Sequence, residues 1–217
     1  MHILSQRLRR FRNIVAAEVL NLAYTGKANV VSSNALFIHI PHNAGEAICS
    51  AFGLPSSDHY TAKELNWWMG KRCYERFFSF CFVRNPYDRF LSLYRNARSP
   101  RAESGHSAAD HALLHNADLE TCAELLLLGK LSAKWHPQTS WFLNDTGEII
   151  VDYIGRYETL NEDLAFVSQR ISGEYLLTPD RHTAGNDKAY RRILPDSVAD
   201  ALSRYYMQDM AMLGYTF

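Results

Sequence analysis

Two apolar runs, each cut off by a turn and followed by helical spacing, restrict this chain more than any other feature. ALFIHI at 35–40 is short and continuously apolar, as a buried strand of a parallel sheet requires. Pro41 ends it, Gly45 follows, and Ala47 to Phe52 reads as the first turns of a helix. FFSFCFV at 77–83 repeats the plan: a strongly β-forming run, a turn at Arg84-Asn85-Pro86, and helical spacing from Tyr87 to Asn96. The helical stretch Thr61 to Arg72 lies between them, as a crossover joining parallel neighbours requires. An acidic helical region at 108–130, a strand IIVDYIG at 149–155, a helix from Leu160 to Ile171 and an apolar-periodic tail from Pro195 to Met212 complete the pattern. Strands alternating with helices predict a three-layer α/β domain with a central parallel sheet flanked by helices. Both strand-ending loops then fall at one edge of the sheet, where open α/β folds bind ligands.

The 217 residues predict one domain over 1–217, with a basic amphipathic helix at about 1–30 that carries Arg7, Arg9, Arg10 and Arg12. That helix is expected to pack on the domain, with peripheral membrane contact as the alternative, because its apolar run is too short to span and is broken by Glu18 and Asn21. A loop is expected over Arg98 to Ser107. Twenty-three basic against 23 acidic side chains exclude a nucleic-acid binder that works by bulk charge. The balance hides a local surplus: residues 71–101 hold eight basic and two acidic side chains, whereas 102–165 hold three basic and eleven acidic. Arginine supplies 17 of the 23 cations, and its planar fork suits phosphate and sulfate groups. Cys49, Cys73, Cys81 and Cys122 lack metal-ligand spacing and read as reduced packing residues, so no metal is expected.

Pro41-His42-Asn43-Ala44-Gly45-Glu46-Ala47 is not a Walker A loop, since the GK[ST] ending that holds phosphate and magnesium is absent. Arg84, with Ser92 further along the helix, offers a guanidinium fork and a hydroxyl to one phosphate. FIHIPHNAGEAI at 37–48 resembles the 5′-phosphosulfate loop FIHIPK-x-x-G-T-[ST] of sulfotransferases that use 3′-phosphoadenosine 5′-phosphosulfate (PAPS). FSFCFVRNPYDRFLSLY at 78–94 resembles their 3′-phosphate motif FxFVRNPxDRxxSxY almost letter for letter. HYTAKELNWWMG at 59–70, HPQTSWF at 136–142, GRYETL at 155–160 and a YxxDxxxxGY pattern at 206–215 extend the likeness. The group it most resembles is the carbohydrate-type branch (sulfotransferase family 2), with heparan 2-O-sulfotransferases and their bacterial relatives.

The resemblance implies a P-loop-like fold, a PAPS donor without a metal, a saccharide or other hydroxyl-bearing acceptor, and a cytoplasmic, bacterial setting. By position it assigns Arg84 and Ser92 to the 3′-phosphate and residues 41–47 to the 5′-phosphosulfate, with Arg89 left to local pairing or packing. His59 stands where the 2-O-sulfotransferases carry their catalytic histidine, and its other reading is a helix cap beside Thr61. His136 is the second choice for a base, His39 is expected in the core, and Glu158 is expected to orient the site or cap the next helix. Where the family has Lys, Thr and Ser, this chain has His42, Glu46 and Ala47. His42 would stand in for the lysine as a partly charged imidazole that a phosphosulfate pushes toward the cation. Glu46 would either cap the helix or repel the ligand. Two functions therefore stay open: PAPS-dependent transfer, and a non-catalytic PAP- or PAPS-binding protein of the same fold. Trp67, Trp68, Trp135 and Trp141 could stack on sugar rings or serve the core.

Overall fold

The computed structural model describes residues 30–32, 35–54, 58–100, 108–178 and 188–217, so the N-terminal helix expected at about 1–30 and residues 101–107 of the expected loop lie outside the described residues. Four strands, β1 (Val30–Ser32), β2 (Ala35–Ile38), β3 (Phe78–Val83) and β4 (Tyr153–Arg156), form one sheet in the order β1-β2-β3-β4. Strands β2, β3 and β4 are parallel, with Ile38 opposite Cys81 and Val83 opposite Arg156, while β1 runs antiparallel along β2. The helices in chain order are α1 (Gly45–Ala51), α2 (Ala62–Met69), α3 (Lys71–Tyr74), α4 (Pro86–Ala97), α5 (Ala108–Leu114) and α6 (Leu119–Leu127). They continue with α7 (Leu160–Ser172), α8 (Tyr190–Ile193), α9 (Asp196–Tyr205) and α10 (Met207–Leu213).

Side chains alternate across a strand, so the two faces of the sheet can be read from the buried residues. Phe37, Phe80 and Phe82 pack against Ile48 and Cys49 of α1 and Leu160, Leu164 and Val167 of α7. Leu36, Ile38, Cys81 and Val83 pack on the other face against Leu65 of α2, Tyr74, Trp141, Phe142 and Leu213. These are the three expected layers. A separate helical cluster, with Phe90, Leu93, Trp135, Leu202 and Tyr206, contains no strand residue and anchors the outer side of α4.

Several expected boundaries shift for local reasons. The first helix starts at Gly45, not Ala47, because Ala44 in the left-handed region already turns the chain into it. The stretch expected from 61 to 72 is two helices divided at Gly70, whose φ of 74° ends α2. Thr61 opens α2 with a reciprocal cap: its Oγ1 accepts from Glu64 N at 3.1 Å, and its N–H donates to Glu64 Oε2 at 2.7 Å. The cap beside His59 is therefore Thr61. The acidic region divides into α5 and α6, the second capped by Asp118. The strand expected at 149–155 narrows to Tyr153–Arg156, Ile149 keeping only an isolated bridge to Leu143. None of the four cysteines is in a disulfide, and Cys49, Cys81 and Cys122 are buried.

Candidate active site

The sequence from Pro41 to Ala44 makes an abrupt turn without using glycine at its two left-handed positions. His42 has φ 66° and Ala44 φ 63°, a conformation that costs a non-glycine residue about 1–2 kcal/mol and persists only where surroundings enforce it. Asn43 supplies part of that enforcement. It is 1% exposed and donates through Nδ2 to Phe82 O at 2.8 Å and Gln138 Oε1 at 2.7 Å, while its buried Oδ1 has no partner. Arg89, also 1% exposed, supplies the rest: Nε donates to Pro41 O at 3.0 Å, Nη1 to His136 O at 3.0 Å and Nη2 to Lys134 O at 2.5 Å. Gly45 is required by proximity, since a Cβ there would stand 1.7 Å from His39 Nε2.

The second loop begins where β3 ends. Asn85 caps α4 by accepting from Tyr87 N at 3.0 Å, and Pro86 takes the first helical position. Arg84 then projects from a fixed backbone: its N–H donates to Gln138 Oε1 and its carbonyl accepts from Gln138 Nε2, both at 2.8 Å. Gln138 is held in turn by Asp209, fully buried, which accepts from Gln138 N at 2.7 Å, Thr139 N at 2.9 Å and Thr139 Oγ1 at 2.9 Å. Glu158 orients the same loop, accepting from Asn85 N at 2.7 Å and from Tyr215 Oη at 2.9 Å. Burial and the neighbouring Glu158 carboxylate push the Tyr215 phenol up, so it stays a donor.

The Arg84 guanidinium is shared three ways. Nε and Nη2 donate to Asp88 Oδ2 at 2.8 and 2.7 Å, Nη1 donates to His42 O at 3.1 Å, and the group lies 4.0 Å above the Tyr157 ring. The ion pair with Asp88 leaves Arg84 on the cavity wall. Ser92 bonds His42 Nδ1 through Oγ at 3.0 Å, joining the two loops directly.

These groups enclose a cavity of about 500 Å³ lined by residues of both loops together with His39, His59, Asn96, Lys134 and Tyr157. His59 Nδ1 lies 3.1 Å from the carbonyl oxygen of His39. A carbonyl only accepts, so Nδ1 carries the hydrogen and the neutral ring bears its lone pair on Nε2. The ring also lies 4.2 Å from that of His39, which stacks on Phe37 in the core as expected.

His42 departs from the sequence expectation. Burial, together with the positive charges of Arg89, Arg84 and Lys134 and of His59 in its protonated form, lowers its pKa to about 3. It is a neutral imidazole at physiological pH, and the partial cation expected from the ordinary histidine value does not form in the ligand-free protein. Glu46 is exposed on the cavity wall and provides no side-chain cap to α1.

Pro41, His42, Ala44, Gly45, Glu46, Ala47, His59, Arg84 and Ser92, named from sequence, meet at this one cavity. Asn43 does not: its side chain turns into the protein as a strut. His136 contributes a carbonyl to Arg89, and Arg89 braces loops instead of pairing locally. Trp135 and Trp141 are core residues, whereas Trp67 and Trp68 are exposed. Sequence reasoning missed Lys134, Tyr157 and the Gln138–Asp209 brace. Tyr157 and Gln138 stood in recognised motifs without a role; Lys134 carried no signal, because a short 3-10 turn has no periodicity to read. Among the described residues no group of His, Cys, Asp and Glu could hold a metal ion, and no helix is long and apolar enough to cross a membrane.

A model of the Sulfotransferase family matches residues 39–216, which takes in every element of this cavity. The chain is also similar to an uncharacterized protein of Archaeoglobus fulgidus, 28% identical over 132 residues that make up 58% of this chain and 92% of the archaeal protein.

Proposed function

The chain belongs to the sulfotransferase family, and from that premise we propose that it moves a sulfuryl group from PAPS to a hydroxyl of a saccharide or related acceptor. One observation carries the reading: the 41–47 loop, His59 and the Arg84–Ser92 pair, remote in sequence, line a single cavity. Its volume, about 500 Å³, suits a nucleotide-sized ligand, and its arginine, lysine and serine suit one that carries two anionic ends. PAPS supplies the sulfuryl group and a phosphate leaving group; the rest falls to the protein.

Arg84 and Ser92 hold the 3′-phosphate. A guanidinium has five N–H donors, and the bonds to Asp88 and His42 O engage three of Arg84's. The other two can meet the phosphate while Asp88 keeps the fork oriented. In the tautomer that places the hydrogen of His42 on Nδ1, Ser92 Oγ accepts at 3.0 Å and its own hydroxyl hydrogen is left for the ligand. The main chain of 41–47 receives the 5′-phosphosulfate, its curl preset by the left-handed His42 and Ala44. His59 takes the acceptor proton on Nε2 while the His39 carbonyl fixes the tautomer through Nδ1. Trp67 and Trp68 are exposed on α2, and Trp68 meets Tyr60 at 4.5 Å, next to His59; such faces support a sugar acceptor.

The neutral His42 and the exposed Glu46 favour the second reading, a nucleotide-binding protein without transfer. Calorimetry with 3′-phosphoadenosine 5′-phosphate (PAP), followed by labelled PAPS over a glycan panel, decides between them. Transfer is expected, and binding without it would leave the second reading. R84A should weaken PAP by about tenfold or more, as loss of a charge-assisted contact does, and leave 5′-AMP unchanged. Equal losses for both would reject the 3′-phosphate assignment. H59A should keep PAP binding and lose turnover.

A further inference from the structure

We propose that the buried Arg89 guanidinium polarises the Pro41–His42 peptide, making the His42 N–H a strong hydrogen-bond donor to the 5′-phosphate of PAPS; this assignment rests on the sulfotransferase reading. Arg89 touches no substrate and acts as a positioning residue through that one peptide. Its Nε donates to Pro41 O at 3.0 Å, and its other bonds also end on carbonyls, those of His136 and Lys134. Burial lowers its pKa, but an arginine keeps its proton inside a protein. A cation is thus fixed against the oxygen of the peptide that opens the loop.

The direction of that peptide follows from its geometry. No cis peptide bond is present among the described residues, and in a planar trans peptide the N–H points opposite to the C=O. Pro41 O faces the sealed guanidinium, so the His42 N–H is directed away from it, and both residues line the cavity. Among the described residues that N–H makes no hydrogen bond.

The surrounding charges do not cancel this effect. On the cavity wall Arg84 and Lys134 are opposed by the exposed Glu46 carboxylate and by Asp88, which holds Arg84 at 2.7 Å. Behind the loop, Tyr206, Asp209 and Tyr205 act on Arg89. Burial pushes both phenols up, so they stay neutral. Asp209 is the negative group there, and its oxygens already accept from Gln138 and Thr139. Arg89 still reaches the loop: of the charges that act on the His42 ring, its own is the strongest, ahead of Arg84 and Lys134.

In the transfer, the acceptor oxygen bonds to sulfur and gives its proton to His59 Nε2. The sulfur–oxygen bond to the 5′-phosphate breaks, that oxygen keeps both electrons, and PAP is released. Charge growing there strengthens the bond from the His42 N–H and, through the peptide, the bond from Arg89, since hydrogen bonds in a chain polarise one another. Preset donors of this kind contribute on the order of 10²-fold in rate where single ones have been removed.

Binding tests the assignment without an acceptor. Wild-type, R89K and R89Q proteins are titrated calorimetrically with PAP and with adenosine 3′-monophosphate, which lacks the 5′-phosphate. Both variants lose the three-carbonyl fork, and only R89K keeps the charge. R89Q should lose about tenfold or more in PAP affinity and far less for the 3′-monophosphate, while R89K stays much closer to wild type. Equal losses in the two variants, or an equal loss for both nucleotides in R89Q, would leave Arg89 as a brace only and overturn the assignment. Should R89Q not fold, NMR of the wild-type protein decides: PAP should move the His42 N–H and the Arg89 Nε–H resonances downfield together, and the 3′-monophosphate neither. A PAP complex in which either resonance stays in place overturns the assignment alone. A wild-type protein that binds neither nucleotide overturns the sulfotransferase reading and this assignment with it.

Discussion

His42 should make the fold measurably less stable in mild acid. The imidazole titrates near 6.5 when exposed and near 3 in the folded protein, so between those values the unfolded chain binds a proton that the native state refuses. The stability tied to this residue is fully present above pH 6.5, declines as the pH falls, and stops declining below about 3, where the folded ring also charges. At pH 5 the unfolded ring is almost wholly protonated, and the loss relative to pH 8 comes to about 2 kcal/mol. The assay is urea unfolding at both pH values for wild type and H42Q, because contributions from groups that do not face His42 cancel in the difference. Wild type should lose about 2 kcal/mol more than the variant over this interval. An equal loss would mean that His42 charges freely in the folded state, and the burial argument would fail. Saturating PAP should shrink the difference, since a bound phosphate favours the protonated ring.

G45A places a Cβ 1.7 Å from His39 Nε2, so the ring that stacks on Phe37 and meets the His59 ring at 4.2 Å must move; a stability loss of about 1–3 kcal/mol with weaker PAP binding is expected, and an unchanged Tm would refute it. D209A strands buried donors on Gln138 and Thr139 and should cost more than about 3 kcal/mol in chemical denaturation while loosening Arg84 through Gln138. Y215F removes one bond to Glu158 and should weaken PAP a few-fold with little change in Tm; a large Tm drop would recast Tyr215 as a core residue.

The parallel core was legible because β2 and β3 are continuously apolar and each is closed by a strong stop, Pro41 after the first and Asn85-Pro86 after the second. β4 was harder to read: Ile149 to Val151 look like strand in sequence, but pairing with β3 begins only at Tyr153. The cavity's chemistry was legible where a residue type had one use, as with Arg84 and Ser92 beside a helix start. It failed where long-range contact decides: Asn43 turns inward because Phe82 and Gln138 receive it, and His42 is neutral because charges distant in sequence surround it. Lys134 belongs to the same class, since no window around it connects it with a loop ninety residues earlier.

Arg89 has a bearing on how salt should act at this site. Its guanidinium is sealed from solvent and bonded to peptide carbonyls of Pro41, Lys134 and His136, so mobile ions cannot approach it. Charges exposed at a surface lose most of their reach beyond roughly 8 Å at physiological ionic strength, whereas buried charges are screened far less. Part of the attraction felt by an incoming anion therefore survives in brine, and the donor's affinity should fall more gently with added salt than its several negative charges alone would suggest.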